Sequence, residues 1–339
     1  MKLEHTKAIQ EFLARCRDNL SDTRLNDFLD RKVTTANEAR LKQELRDAGA
    51  REFDHSPSPS LFLSVKDWET SPYHSTITNK LRNTYPDSFA KETFLSHRLF
   101  NSDAVQRDPN RELLDWMKLR ALDQDAECLI LNRDGVEWML DAPSESATND
   151  PIAENVYGNV VTFGLGLGYF AFMALRNPRV NSVTVVEADP EVIRVFNELI
   201  YPLFPDQRLT IIEGDAYDYW NESFLSGYDS IYADIWQNES DGLFSIAQLL
   251  QQYVPPYEST QFWIEESCMV SLRTLIFLCL EEEYYHTHRE VTEDYEELMD
   301  RTRTWLQGYD KVLSTPEDCK DLLYDRRVLR NLLGGIYES

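Results

Sequence analysis

The apolar run Asn159-Val-Val-Thr-Phe163 leads directly into Gly164-Leu-Gly166-Leu-Gly168, and an apolar helical pattern follows to about Leu175. This junction constrains the fold more than any other feature of the chain. Glycines at such a turn let the backbone bend sharply out of a buried strand and let a ligand approach closely. The helix that starts there presents free backbone N–H groups and a partial positive charge, suited to a carboxylate or phosphate.

Regular alternation continues beyond it. Ser182-Val-Thr-Val-Val-Glu187 is predicted to be a strand, and Asp189-Pro190 opens a helix, with Asp as cap and Pro at the first position. Residues 208–213 and 228–234 read as further strands, and residues 261–264 as a fifth. Strands alternating with helices predict an α/β fold with a doubly wound, Rossmann-like parallel sheet.

Ahead of the sheet, Ile9, Phe12, Leu13, Cys16 and Leu20 recur at helical spacing, and a second helix is expected over 37–48. Residues 61–65 read as a short strand and residues 111–122 as a helix. The runs 128–131 and 136–140 flank Asn132-Arg-Asp-Gly135 and predict a β-hairpin. After Glu281 the pattern is helical to the end, and Glu281-Glu-Glu283 reads as an exposed face. The expected division is a mostly helical N-terminal region over 1–110, a Rossmann-like domain with its leading hairpin over 111–283, and a helical extension over 284–339.

Composition narrows the partners. The 339 residues hold 59 Asp and Glu against 34 Lys and Arg, a net charge of −25, which repels nucleic-acid backbones and anionic membranes. The apolar run 268–280 is too short to span a bilayer, and the N-terminus lacks the apolar core of a signal peptide. Five scattered cysteines form no CxxC pair, which fits reduced thiols in a cytoplasmic protein. His286 and His288 have metal-ligand spacing without a supporting third ligand, so no metal site is expected.

The ordered motifs resemble those of class I S-adenosyl-L-methionine (AdoMet)-dependent methyltransferases. Glu187 stands 23 residues after Gly164, where that family holds a ribose acid. Glu213-Gly-Asp215-Ala216 is similar to its adenine-side turn, and Tyr228-Asp-Ser-Ile-Tyr-Ala-Asp234 to the strand whose tip faces the reacting methyl. The resemblance implies AdoMet as cofactor, bound by Gly164, Gly166, Gly168, Glu187, Ala188, Asp215, Ala216 and Asp234. Asp234 would also act as polar anchor or base. Residues 178–187 and the leading hairpin resemble the spermidine synthase-like branch.

Departures lie at the chemistry. Leu167 replaces the loop acid of aminopropyltransferases, Gln237 replaces their second acid after the fourth strand, and Thr162 replaces the acid that methyltransferases often carry two residues before the first glycine. The expectation is methyl transfer to a small-molecule acceptor; a non-catalytic AdoMet-fold protein and an aminopropyltransferase stay open. Ser144, Glu145 and Asn149 precede the sheet where related enzymes cross over the pocket, with a plain linker as the alternative. Trp236 is expected to line a substrate pocket or to serve as a core or lid aromatic.

Overall fold

A computed structural model of the chain describes residues 1–84, 89–108, 111–133, 136–204 and 208–337. It is a mixed α/β structure with a parallel sheet and many helices. The sheet is built from β1 (Gly158–Phe163), β2 (Val180–Glu187), β3 (Leu209–Glu213), β4 (Ser230–Ala233) and β5 (Thr260–Phe262). All neighbouring pairs are parallel, in the order β3-β2-β1-β4-β5. In β1 the run Val160, Val161, Thr162 and Phe163 is buried throughout, as expected of a strand covered on both faces.

The order reverses beside β1, since the chain builds β2 and β3 on one side and returns to add β4 and β5 on the other. Ligand crevices of open parallel sheets form outside the carboxyl ends of the strands at such a switch point. Phe163 lies in register with Ala233, so the glycine loop after β1 and Asp234 after β4 leave the sheet side by side.

Four helices flank the strands along the chain: α1 (Pro143–Asn155), α2 (Tyr169–Arg176), α3 (Glu239–Gln252) and α4 (Glu265–Tyr285). The leading hairpin forms between Ala126–Arg133 and Val136–Leu140, with Leu131 opposite Met139. Its turn residues, Asp134 and Gly135, lie outside the described residues.

The two ends of the chain meet. Helix Lys7–Leu20, capped by the Thr6 side chain, buries Ile9, Phe12, Leu13 and Cys16 in the same core as α4. Lys2–Leu3 pairs in parallel with Val312–Leu313. Helices Glu293–Gly308, Pro316–Tyr324 and Arg326–Gly334 make the C-terminal region helical, as expected. Helix Glu38–Ala48 and strand Phe62–Leu63 also form where the sequence predicts them.

Two expectations are overturned. The helix expected over 111–122 is absent: Asp115–Trp116 and Leu119–Leu122 are strands, and Leu113 has φ +60°, outside helical backbone. Leu119–Leu122 is buried at every position and joins Phe62–Leu63 and Phe100–Asn101 in a small sheet, where tertiary pairing overrides local helix propensity. The acidic run is not an exposed face either. Glu281 is buried and paired with Arg17 and Arg289, Glu282 pairs with Arg303, and Glu283 alone of the three is exposed.

All five cysteines are free and buried. His286 ends α4 in left-handed backbone and stacks on His5, while His288 lies beside Glu282 in the turn beyond. Among the described residues no helix is long and apolar enough to cross a membrane, and no group of three or more His, Cys, Asp or Glu side chains is arranged to hold a metal ion.

Candidate functional site

All three loop glycines are left-handed, with φ +96° at Gly164, +55° at Gly166 and +76° at Gly168. The close quarters differ between them. A side chain at Gly164 would strike the Asp234 carbonyl oxygen at 2.0 Å, and one at Gly166 would strike Met139 Cε of the hairpin at 2.2 Å. At Gly168 the obstacle is the Phe196 ring, at 2.4 Å.

Glu187 holds this loop in shape. Its Oε2 accepts from the Leu165 N–H at 2.9 Å and its Oε1 from the Asp189 N–H at 2.8 Å. From the opposite side the buried Tyr73 hydroxyl donates to the Leu167 carbonyl at 2.6 Å. Tyr73 comes from the N-terminal region, just before the π-helical turn His74–Thr78.

A cavity of about 560 Å³, mouth included, lies against the loop. It is lined by Thr162, Gly164, Gly166 and Asp234 from β1, β4 and the turns after them, and by Tyr73, Met139, Asp141, Glu145 and Asn149. Among the described residues lining it are three carboxylates and no arginine, lysine or histidine.

The polar groups here are unevenly satisfied. His74 Nε2 and Asp141 Oδ1 are 2.7 Å apart, and His74 Nδ1 lies 2.7 Å from Ser71 Oγ. Tyr232 donates to Asn149 Oδ1 at 2.9 Å. By contrast, Asp141 Oδ2 and Thr162 Oγ1 are buried without a partner, although Asp141 is only 6% exposed and Thr162 only 2%. Buried polar atoms left unpaired cost free energy, and two that border one cavity mark where a ligand would complete them.

The charges are equally unbalanced. Burial, followed by the Glu145 carboxylate, pushes Asp234 well above the ordinary range. Burial and the nearby Asp141 push Glu145 up to about 7. Carboxylates that resist ionising together become comfortable once a cation enters.

Of the residues singled out in the sequence, the cavity gathers Gly164, Gly166, Asp234, Glu145 and Asn149. Gly168, Glu187, Ala188, Asp215 and Ala216 lie outside its lining. Asp215 is exposed and caps the short helix Ala216–Tyr219 by accepting from the Tyr217 N–H. Ser144, Glu145 and Asn149 belong to α1, the helix that joins the hairpin to the sheet. Trp236 is a core aromatic, 7% exposed, and does not line the cavity. Gln237 is exposed and lies outside the cavity as well.

Sequence reasoning missed Tyr73, His74, Met139 and Asp141. The first two sit in a proline-punctuated stretch without periodicity, and Asp141 had no motif to mark it.

No protein-family model matches the chain. No curated protein sequence matches it either. Solved structures do. Spermidine synthase from Thermotoga maritima is 14% identical over 49% of this chain and 56% of that one, with a TM-score of 0.29. A spermidine synthase in complex with the transition state analogue AdoDATO is 19% identical over 40% and 49%, with a TM-score of 0.29. A mitomycin 7-O-methyltransferase is 18% identical over 35% and 34%, with a TM-score of 0.27. The chain spans about half the length of the two spermidine synthases.

Proposed function

We propose that the chain is an AdoMet-dependent methyltransferase acting on a small-molecule acceptor. The observation that carries this reading is the cavity at the switch point. A glycine loop, an unpartnered threonine hydroxyl and three carboxylates meet there, and no arginine, lysine or histidine is among the described residues lining the cavity.

These residues fit the positively charged half of AdoMet. Thr162 Oγ1 and Asp141 Oδ2 are free to pair with an ammonium, and Asp234 and Glu145 suit a sulfonium nearby. Glu187 would stand at the ribose end, as the motif resemblance implies. Bound AdoMet supplies a methyl group already activated by the sulfonium charge.

The protein's own work is then alignment and desolvation, which can lower a barrier by roughly 7–11 kcal/mol. The fixed glycine backbone sets the depth of approach, and Leu165, Leu167 and Phe170 exclude water from the wall. Asp234 and Glu145 hold positive charge and accept a proton at a carboxylate oxygen.

Aminopropyl transfer to a diamine is the second reading, favoured by one observation. Glu145 and Asp141 supply beside Asp234 the carboxylates that Gln237 fails to provide. Calorimetry with AdoMet, its demethylated product AdoHcy and decarboxylated AdoMet separates the readings. Methyl transfer expects AdoMet and AdoHcy to bind tightly, and aminopropyl transfer expects decarboxylated AdoMet to win. Binding of none of the three would remove both.

A further inference from the structure

Glu145 faces two cavities. Besides the one at the glycine loop, it lines a second of about 990 Å³, mouth included. Asn101, Ser144, Thr148, Ser240 and Ser271 give this space hydroxyl and amide walls. Glu239 adds a second carboxylate, and Asp103 is already matched by Lys118 at 2.7 Å. Among the described residues lining it there is no arginine, lysine or histidine.

Its floor is rigid. Trp263 Nε1 donates to Thr148 Oγ1 at 2.9 Å, which fixes the indole against α1. The next residue, Ile264, has φ +43°, a strained conformation for a β-branched side chain. Such strain concentrates at functional sites. There the chain turns from β5 into α4.

We propose that this second cavity holds the acceptor, that the acceptor is a small hydroxylated amine, and that Glu145, on the boundary between the two cavities, takes a proton from its nitrogen. The proposal rests on the group-transfer reading above. Thr148 Oγ1 and Asn101 Oδ1 are engaged within the protein, but the Ser144 and Ser240 hydroxyls both donate and accept, which suits a ligand with hydroxyl groups. Carboxylates without a counter-ion demand a positive charge. A neutral sugar would leave the Glu145 carboxylate unmatched, whereas Glu239 is exposed and solvated, and a plain diamine would leave the hydroxyl wall to water.

The Glu145 carboxylate lines both cavities, so it is available to the ligand. An ammonium must lose a proton before its nitrogen can act as a nucleophile. The proton passes to a Glu145 oxygen and the electron pair of the broken N–H bond stays on nitrogen. A carboxyl group raised toward neutrality by burial suits that exchange.

The test is titration of the 339-residue chain with glucosamine, glucose and 1,4-diaminobutane, followed by NMR, with AdoMet binding measured by calorimetry in parallel. The expected result is saturable glucosamine binding, tighter than that of either other probe. Ser144→Trp on α1 and Val270→Trp on α4 should each weaken it at least about tenfold while AdoMet affinity is kept. Glu145→Gln should weaken glucosamine and leave glucose unchanged.

Glucose binding as tight as glucosamine, diaminobutane binding tighter, no glucosamine binding, or both tryptophan variants binding normally while folded by circular dichroism would each overturn the proposal. Failure of the wild-type protein to bind AdoMet, with the glucosamine pattern intact, overturns the group-transfer reading and leaves the ligand class of this cavity standing.

Discussion

The Glu187 carboxylate accepts the Leu165 backbone N–H at 2.9 Å, joining the tip of β2 to the glycine loop after β1. Its other oxygen holds the Asp189 N–H. The acid that the motif marks as a ribose ligand is thus also a brace for the loop.

Glu187→Ala should therefore lose stability as well as ligand affinity. Hydrogen bonds to a charged group contribute about 1.5–3 kcal/mol, and removing this acceptor frees the Leu165 amide of the glycine loop and the Asp189 amide after β2. Glu187→Gln keeps one acceptor oxygen and should lose less. Urea denaturation of the ligand-free variants checks this; an unchanged midpoint for Glu187→Ala would show that the brace is dispensable.

The glycines should differ in how far they can be rescued. Gly166→Ala meets the flexible end of Met139, so Met139→Ala should recover part of its stability. Gly164→Ala meets the Asp234 backbone, which has no such freedom. Both also carry the left-handed backbone, which costs a non-glycine residue of order 1–3 kcal/mol. Denaturation midpoints of the single and double variants decide the matter, and equal rescue at the two positions would refute the contrast.

Tyr73→Phe removes only the hydroxyl that holds the Leu167 carbonyl. The expected loss is about 1 kcal/mol, with faster hydrogen exchange confined to residues 164–169. Exchange rates in the loop that match the unmodified protein would show that Tyr73 does not restrain it.

Glu145 titrates near 7 in the folded protein against 4.5 ordinarily, through burial first and Asp141 second. A carboxyl raised by folding keeps a proton that the unfolded chain has lost. Its contribution to stability therefore falls as pH rises from about 4.5 to about 7, then levels off. Glu145→Gln should flatten that segment of the stability curve. AdoMet binding near pH 7 should release protons, because a cation favours the ionised carboxylates. Calorimetry in buffers of different ionisation enthalpy measures the release, and proton uptake would contradict the arrangement.

Gln237→Asp should leave diamine handling unchanged, since Gln237 lines neither cavity. If any spermidine forms from 1,4-diaminobutane and decarboxylated AdoMet, Glu145→Gln should reduce it and Gln237→Asp should not raise it, as read by mass spectrometry.

Local signals determined much of this chain. The apolar run 159–163 with its glycine turn, the Asp189-Pro190 helix start and the period of residues 9–20 each rest on neighbours a few positions apart. Such elements form as read because sterics, capping and one apolar face decide them. Gly164 and Asp234 were legible for the same reason, since each ends a buried strand.

The tertiary structure decided the rest. Residues 119–122 are strand because two distant segments, 62–63 and 100–101, offer hydrogen-bond partners that a helix would forgo. Glu281 is buried because Arg17 and Arg289 neutralise it across long chain separations. Tyr73 reaches Leu167, and His74 reaches Asp141, over 94 and 67 residues. No periodicity records such contacts, because they depend on how separate elements pack. The sequence thus determined where a loop and an acid leave the sheet, and packing alone decided which other acids would face them.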